Sequence, residues 1–292
     1  MRIAIIMLIH KYSQQQAKLI RHLAKDFDVF IHIDKRTKFL TTEISDARVF
    51  AYKKYRVYWG NFNQIRATLL LFEEANRKRY DRYIFISGED IPIKTNAEIY
   101  AYFFENHKEY FEFSKLPRSV WGDNGGFDRI DFFWLNSLSR GKTNRVKRMV
   151  YILLEKINTK YVIPLMKKKG MHRRLEIPYY GGTNWMDLTY KCVFQLLAFV
   201  KDNKKYLNSF KHTRCADEIF FQTIICNYVE GVELQNKSLR YVDWVTGPET
   251  PRVLRMEDYE KLKATDCLFA RKVNYEIDAN IIDKIYNDLD FA

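Results

Sequence analysis

Cysteine, proline and glycine are all scarce in this 292-residue chain, at four, six and eleven residues. The cysteines, Cys192, Cys215, Cys226 and Cys267, form no C-x-x-C pair, which argues against a zinc ribbon or a dithiol redox motif and leaves reduced packing residues. No apolar run approaches the roughly 20 residues of a membrane-spanning helix. The first such run, Ile3 to Ile9, stops at His10 and Lys11 with no small-residue cleavage site behind it, so the sequence predicts no signal peptide and a cytoplasmic protein. Nucleotide and hydrolase signatures are missing too: there is no G-x-x-x-x-G-K-[ST], no G-x-G-x-x-G, no G-x-S-x-G and no H-E-x-x-H. The Asp-x-Asp triplet Asp288-Leu-Asp290 lies at the C-terminal end, a poor context for a metal-diphosphate site, and metal-free chemistry is expected.

Hydrophobic residues at 47% and aromatics at 16% are ample for a packed core, and disorder is not the expected state. Charge is lopsided: the formal net charge is +13, and between Arg140 and Arg174 twelve lysines and arginines face one acid, Glu155. In the same stretch Val146, Met149, Val150, Leu153, Leu154 and Ile157 recur at helical spacing. A basic amphipathic helix of this kind suits a membrane surface; the alternative is a core-facing helix with a solvated charged rim.

The first third alternates strand and helix. Ile3 to Ile9 has buried-strand length, and Ser13 caps a helix with Leu19, Ile20 and Leu23 on one face. Asp28 to Asp34 is a second strand ending on a carboxylate, and Arg48 to Tyr52 a third. Asn61 and Gln64 have capping-box spacing at the start of a helix with Ile65, Leu69 and Phe72 inside. The strand beginning at Tyr83 runs into Ser87-Gly-Glu-Asp-Ile-Pro92, and Asn96 opens a helix through Phe104. This rhythm predicts a parallel sheet of nucleotide-binding type, whose ligands sit beyond the carboxyl ends of the strands. Farther on, Leu188–Lys201 and Asp217–Tyr228 read as helices and Leu239–Trp244 as a strand.

Five segments then match one family in order: the N-terminal strand; Phe30-Ile-His-Ile-Asp-Lys35; Val57-Tyr-Trp-Gly60; Ile86-Ser-Gly-Glu-Asp-Ile-Pro-Ile-Lys-Thr95; and Gly181-Gly-Thr-Asn-Trp185, followed by Ala216-Asp-Glu218 and Leu268-Phe-Ala-Arg-Lys272. The chain resembles a bacterial member of the core-2/I-branching enzymes, which join branching β-1,6-N-acetylglucosaminyltransferases with peptide O-xylosyltransferases. The resemblance implies an α/β, GT-A-like fold with a Rossmann-type mixed central sheet flanked by helices. It implies one glycosyltransferase domain over 1–292, comprising a nucleotide-binding half at 1–113, a basic helical insertion at 114–180 and an acceptor and catalytic half at 181–292. It also implies inverting transfer from a UDP-sugar, N-acetylglucosamine being the expected sugar, to a glycan hydroxyl without a divalent metal.

Inversion at C1 needs a base for the acceptor hydroxyl and cations for the departing diphosphate. Glu218, in the first turn of a predicted helix where the dipole favours a carboxylate, suits the base, its plain alternative being a capping acid. Arg271 and Lys272 resemble the family's diphosphate cations, Lys272 being the firmer match, with Arg240 or else Arg252 as a second clamp. Asp34 resembles the uridine contact, and His10, Tyr58 and Trp59 are placed in the donor pocket, with His32 in the core. Glu89 and Asp90 are expected to hold sugar hydroxyls or shape the turn. Asn184 stands where xylosyltransferase-like members have an acid; an amide orients a hydroxyl but cannot take its proton, so xylosyl specificity is not expected. The expected acceptor is a surface glycan, lipid-linked if residues 140–174 touch a membrane. A non-catalytic sugar-nucleotide or glycan binder and a nucleic-acid binder are the rival functions, the latter without any recognition motif in the chain.

Overall fold

The computed structural model describes residues 1–39, 44, 46–122, 124–134, 145–248 and 250–291, without the side chains of 145–148, 151 and 291. Its elements run β1 (Ile3–Ile9), α1 (Gln14–Leu23), β2 (Asp28–Ile33), β3 (Val49–Tyr52), α2 (Phe62–Asn76), β4 (Arg82–Ser87), β5 (Asp90–Pro92) and α3 (Asn96–Glu105). They continue through β6 (Glu109–Phe111), β7 (Ser114–Lys115), α4 (Asp128–Asp131), α5 (Arg145–Ile157), α6 (Ile163–Lys168), β8 (Tyr180–Gly181) and β9 (Met186–Thr189). The last part holds α7 (Tyr190–Asp202), α8 (Lys204–Ser209), α9 (Asp217–Tyr228), β10 (Leu234–Asn236), β11 (Arg240–Val242), α10 (Tyr259–Ala264), β12 (Phe269–Arg271) and α11 (Ala279–Phe291).

Seven strands form the main sheet in the order β10-β6-β9-β4-β1-β2-β3. β1 lies at its heart, parallel to both β2 and β4, and its residues Ile3 to Met7 are all buried. That explains a continuous apolar run where a half-exposed strand would alternate. β9 reverses direction against β4 and β6, which makes the sheet mixed. Helices cover both faces: Ile65, Leu71 and Phe72 of α2 pack on one side with α7 and α9, and Leu19, Ile20 and Leu23 of α1 on the other. This is the GT-A-like, Rossmann-type mixed sheet that the family resemblance implies; the strand–helix rhythm by itself predicts only the parallel strands, and β9 departs from it.

A smaller sheet, β11-β12-β5, stands beside it. There β12 runs antiparallel to β5 and sets Arg271 opposite Asp90. The two sheets are tied by a fully buried pair in which Arg240 of β11 donates both guanidinium arms to Asp187 of β9 and also reaches the Phe85 carbonyl. Such a pair is held by geometry: its charges leave water only because each finds the other in bidentate register.

Gln64 departs from its expected capping role. Asn61 caps α2 through the Asn63 N–H, whereas the Gln64 amide oxygen accepts from Gly60 and its nitrogen donates to Asp217. For the basic segment the core-facing alternative does not hold along α5. Met149, Leu153 and Ile157 of α5 are exposed, while α6 buries Ile163 and Met166 against Phe132 and Trp134. Arg140 and Lys142 lie outside the described residues. Among the described residues no helix is long and apolar enough to cross a membrane.

Candidate active site

β1, β2 and β4 end on one edge of the main sheet, so His10, Arg36 and the Ser87–Glu89 turn come together although they are far apart in the chain. A cavity of about 330 Å³ opens there. Its other wall comes from the second half of the chain: Asn184, Trp185, Asp217, Glu218 and Arg271. A larger groove of about 900 Å³ between α2 and α7 is lined by apolar side chains, asparagines and basic residues, with Glu73 as its one carboxylate, and does not bring several acids and cations together.

Local packing explains the wall. Gly60 has φ +69°, and a Cβ there would meet the Cys215 sulfur at 2.8 Å. Only glycine lets the Val57–Gly60 loop lie this close to the start of α9, where the Cys215 N–H donates to the Gly60 carbonyl at 2.7 Å. At Gly182 a Cβ would fall 1.8 Å from the Glu112 carbonyl oxygen, and the Gly182 N–H donates to the Glu218 carbonyl at 2.9 Å. The Gly-Gly pair thus docks β8 against α9 and holds the helix start at the cavity.

Glu218 is bound by a residue that the sequence did not single out. Arg129 of α4 donates to its Oε2 at 2.6 Å while stacking on Trp121 at 3.8 Å. Burial raises the proton affinity of Glu218; the charge and hydrogen bond of Arg129, with help from Arg118, pull it back, and the net direction is upward. Asp217 beside it is buried, and its Oδ2 accepts from Gln64 at 2.7 Å and Asn184 at 3.1 Å, whereas Oδ1 has no partner. Burial first, and the charge of Glu218 second, push the Asp217 carboxyl up to about 7.

On the opposite side Arg271 lies over the Trp185 ring at 3.8 Å, with Asp90 at 3.5 Å and Glu89 at 3.9 Å. Its Nε has no hydrogen-bond partner. Burial depresses its proton affinity, and the two acids partly restore it. Lys272, the firmer match in sequence, is half-buried and does not line the cavity, where Arg271 stands instead.

Other expectations need correction. Arg240 is not at the cavity, since Asp187 and the Phe85 carbonyl occupy its guanidinium. Arg252 is likewise held by Asp243, Glu257 and Asp258. Asp34 is buried and clasps Arg36, accepting from its Nε at 2.9 and 3.0 Å; Arg36 is the one that lines the cavity. Tyr58 lies under that guanidinium, 4.0 Å from ring to cation, and is not a lining residue either. Asp90 is buried and shapes the turn, accepting from the Ser87 N–H at 2.6 Å and its hydroxyl at 3.2 Å. His32 is buried, accepts from the Tyr55 N–H, and is kept neutral by burial with its proton affinity lowered to about 4; one edge still reaches the cavity. His10, Trp59, Glu89, Asn184 and Glu218 do line it. The residues missed are Arg36, Gln64, Arg129 and Asp217. Gln64 carried only a capping signal and Asp217 only a helix-start signal, and no local pattern distinguishes Arg36 or Arg129 from surface arginines.

A family model described as Core-2/I-Branching enzyme matches residues 3–266. The chain is similar to Xylosyltransferase 1 of Mus musculus, 25% identical over 260 residues, or 83% of this chain and 24% of that protein. It is 25% identical over 260 residues to Xylosyltransferase 1 of Rattus norvegicus, covering 83% and 28%. Xylosyltransferase 2 of Rattus norvegicus is 22% identical over 257 residues, covering 83% and 26%. The chain spans about a quarter of the length of these relatives.

Proposed function

We propose a metal-independent, inverting transfer from a UDP-sugar for this chain, which belongs to the core-2/I-branching enzyme family of glycosyltransferases. The observation that carries the reading is a carboxylate of raised proton affinity, Glu218, facing a partly desolvated cation, Arg271, across one cavity. The acceptor oxygen attacks C1, its proton passes to the Glu218 carboxylate, and the C1–phosphate oxygen bond breaks with its electron pair on the diphosphate. Arg271 offsets the charge that develops there, as fixed cations in a shielded site do most effectively. Arg129 holds Glu218 in place and favours its ionised form, while burial makes it a better proton acceptor than a solvated acid.

In this reading the nucleotide binds on the side lined by His10, Arg36 and Trp59 and the sugar lies between Glu89 and Asn184, all of which line the cavity. N-acetylglucosamine is the proposed sugar and a surface-polysaccharide hydroxyl the proposed acceptor. Xylose is the second reading, favoured by the names of the similar proteins; against it, residue 184 is an amide already committed to Asp217. UDP release from a panel of UDP-sugars, with EDTA present, tests both. Turnover that persists in EDTA is expected, and strict dependence on Mn²⁺ or Mg²⁺ would overturn the metal-free step. Glu218→Gln should lower turnover by roughly 10²–10⁴-fold with UDP affinity nearly intact; unchanged turnover removes Glu218 as the base.

A further inference from the structure

The basic segment has a feature that sugar transfer does not use. Met149, Leu153 and Ile157 of α5, Tyr161 in the π-helical turn Asn158–Val162, and Leu165 of α6 follow one another at four-residue steps, and each is 39–65% exposed. In an α-helix four residues overshoot one turn by about 40°. The wider π turn takes back part of that drift and keeps the row on one side. Lys156, Lys160, Lys167, Lys168 and Lys169 are exposed along the same stretch, and Glu155 is the one acid between 145 and 175.

The opposite face is anchored. Ile163 and Met166 pack on Phe132 and Trp134. Arg174 pairs with Asp131 of α4 at 2.9 Å, and the Arg173 N–H donates to the Asp131 carbonyl. The same α4 supplies Arg129 to Glu218. An apolar row that the core leaves uncovered is therefore fixed, through one short helix, to the candidate base.

We propose that α5 and α6 form a docking face for an anionic phospholipid bilayer, with the apolar row seated at the acyl boundary and the lysines on the headgroups. A row of large apolar side chains bordered by lysines, with almost no acids, complements a surface that is negative outside and apolar beneath. A nucleic acid would match the lysines but leave the row in water. Docking holds the Glu218 side of the cavity near the membrane, so the acceptor is a lipid-linked glycan; this last clause alone rests on the proposed transfer reaction.

The test is flotation of the full chain with vesicles of phosphatidylcholine alone or with about one-third phosphatidylglycerol, at low and high salt. Each headgroup-adjacent lysine is worth roughly fivefold in partitioning. Lys167→Ala, Lys168→Ala and Lys169→Ala combined should therefore lower binding to the anionic vesicles on the order of a hundredfold. Met149→Asp with Leu153→Asp should abolish it, and wild-type binding should fall as salt rises. All substituted positions are exposed, and circular dichroism with a thermal melt checks that the variants fold. Absence of flotation at low salt overturns the proposal, as does equal flotation of the wild type and both folded variants, or retention by duplex DNA without vesicle binding. UDP release in vesicle-free buffer separates the two ideas: flotation without turnover retains the docking face and sinks the transfer reading.

Discussion

Replacing Asp217 by Asn changes a charge and almost nothing else. The variant keeps an oxygen for the Gln64 and Asn184 amides, which donate to Oδ2 at 2.7 and 3.1 Å, and puts an amide group where Oδ1 now lacks a partner. Burial, reinforced by the charge of Glu218 and countered by hydrogen bonds from its own backbone and from Asn184 and then by the charge of Arg129, raises the Asp217 carboxyl from its ordinary value of 3.8 to about 7. The folded state thus holds a proton that the unfolded chain has already released. Stability from this group is fully present below the unfolded value, falls as pH rises toward about 7, and levels off beyond it. The slope in that window is about 1.4 kcal/mol per pH unit. From pH 5 to pH 7 the wild type should therefore lose about 2–3 kcal/mol relative to Asp217→Asn. Urea unfolding of both proteins at pH 5, 6, 7 and 8 measures this, and subtracting the two profiles removes the groups that do not interact with Asp217, leaving Asp217 and its neighbour Glu218. Curves that stay parallel across the range would refute the assignment of a buried, largely protonated acid beside Glu218.

Three further outcomes follow from the same geometry. Arg129→Gln removes the charge and hydrogen bond that lower the Glu218 proton affinity; because the reaction needs the carboxylate ionised, the acid limb of the pH–rate profile should move to higher pH, and an unmoved limb counts against the pair. Gly182→Ala forces a Cβ to 1.8 Å from the Glu112 carbonyl and should cost several kcal/mol, read as a lower melting temperature; a melt within about 2 °C of wild type contradicts the close approach. Arg240→Ala strands Asp187 without its partner in the core and should destabilise by about 3–5 kcal/mol while the folded fraction still binds UDP. Lost UDP binding at unchanged stability would return Arg240 to the donor pocket.

Much of the fold is legible locally. The run Ile3–Ile9 is apolar throughout because β1 is covered on both faces, and the strand at Tyr83 turns where Gly88, Asp90 and Pro92 say it must. The α9 range Asp217–Tyr228 agrees with the reading from sequence. The helix-start position of Glu218 and the closeness of the Gly181-Gly182 pair to the site were likewise visible as motifs. Sites were harder where one residue type serves two ends. Arg240, Arg252 and Arg271 look alike in sequence, yet Asp187 claims the first, three acids claim the second, and the third faces the cavity.

The sequence by itself determined the alternation of strands and helices, the family, and the presence of a base candidate and a basic apolar row, because periodicity and motif are local properties of the chain. Only the tertiary structure decided which groups meet. It set Arg271 opposite Asp90 through the pairing of β12 with β5, brought Arg129 to Glu218, turned Gln64 from a cap into a partner of Asp217, and left the α5–α6 row uncovered. Burial and the charge of a distant partner fix what a carboxylate or an arginine does, and both depend on where the rest of the chain packs.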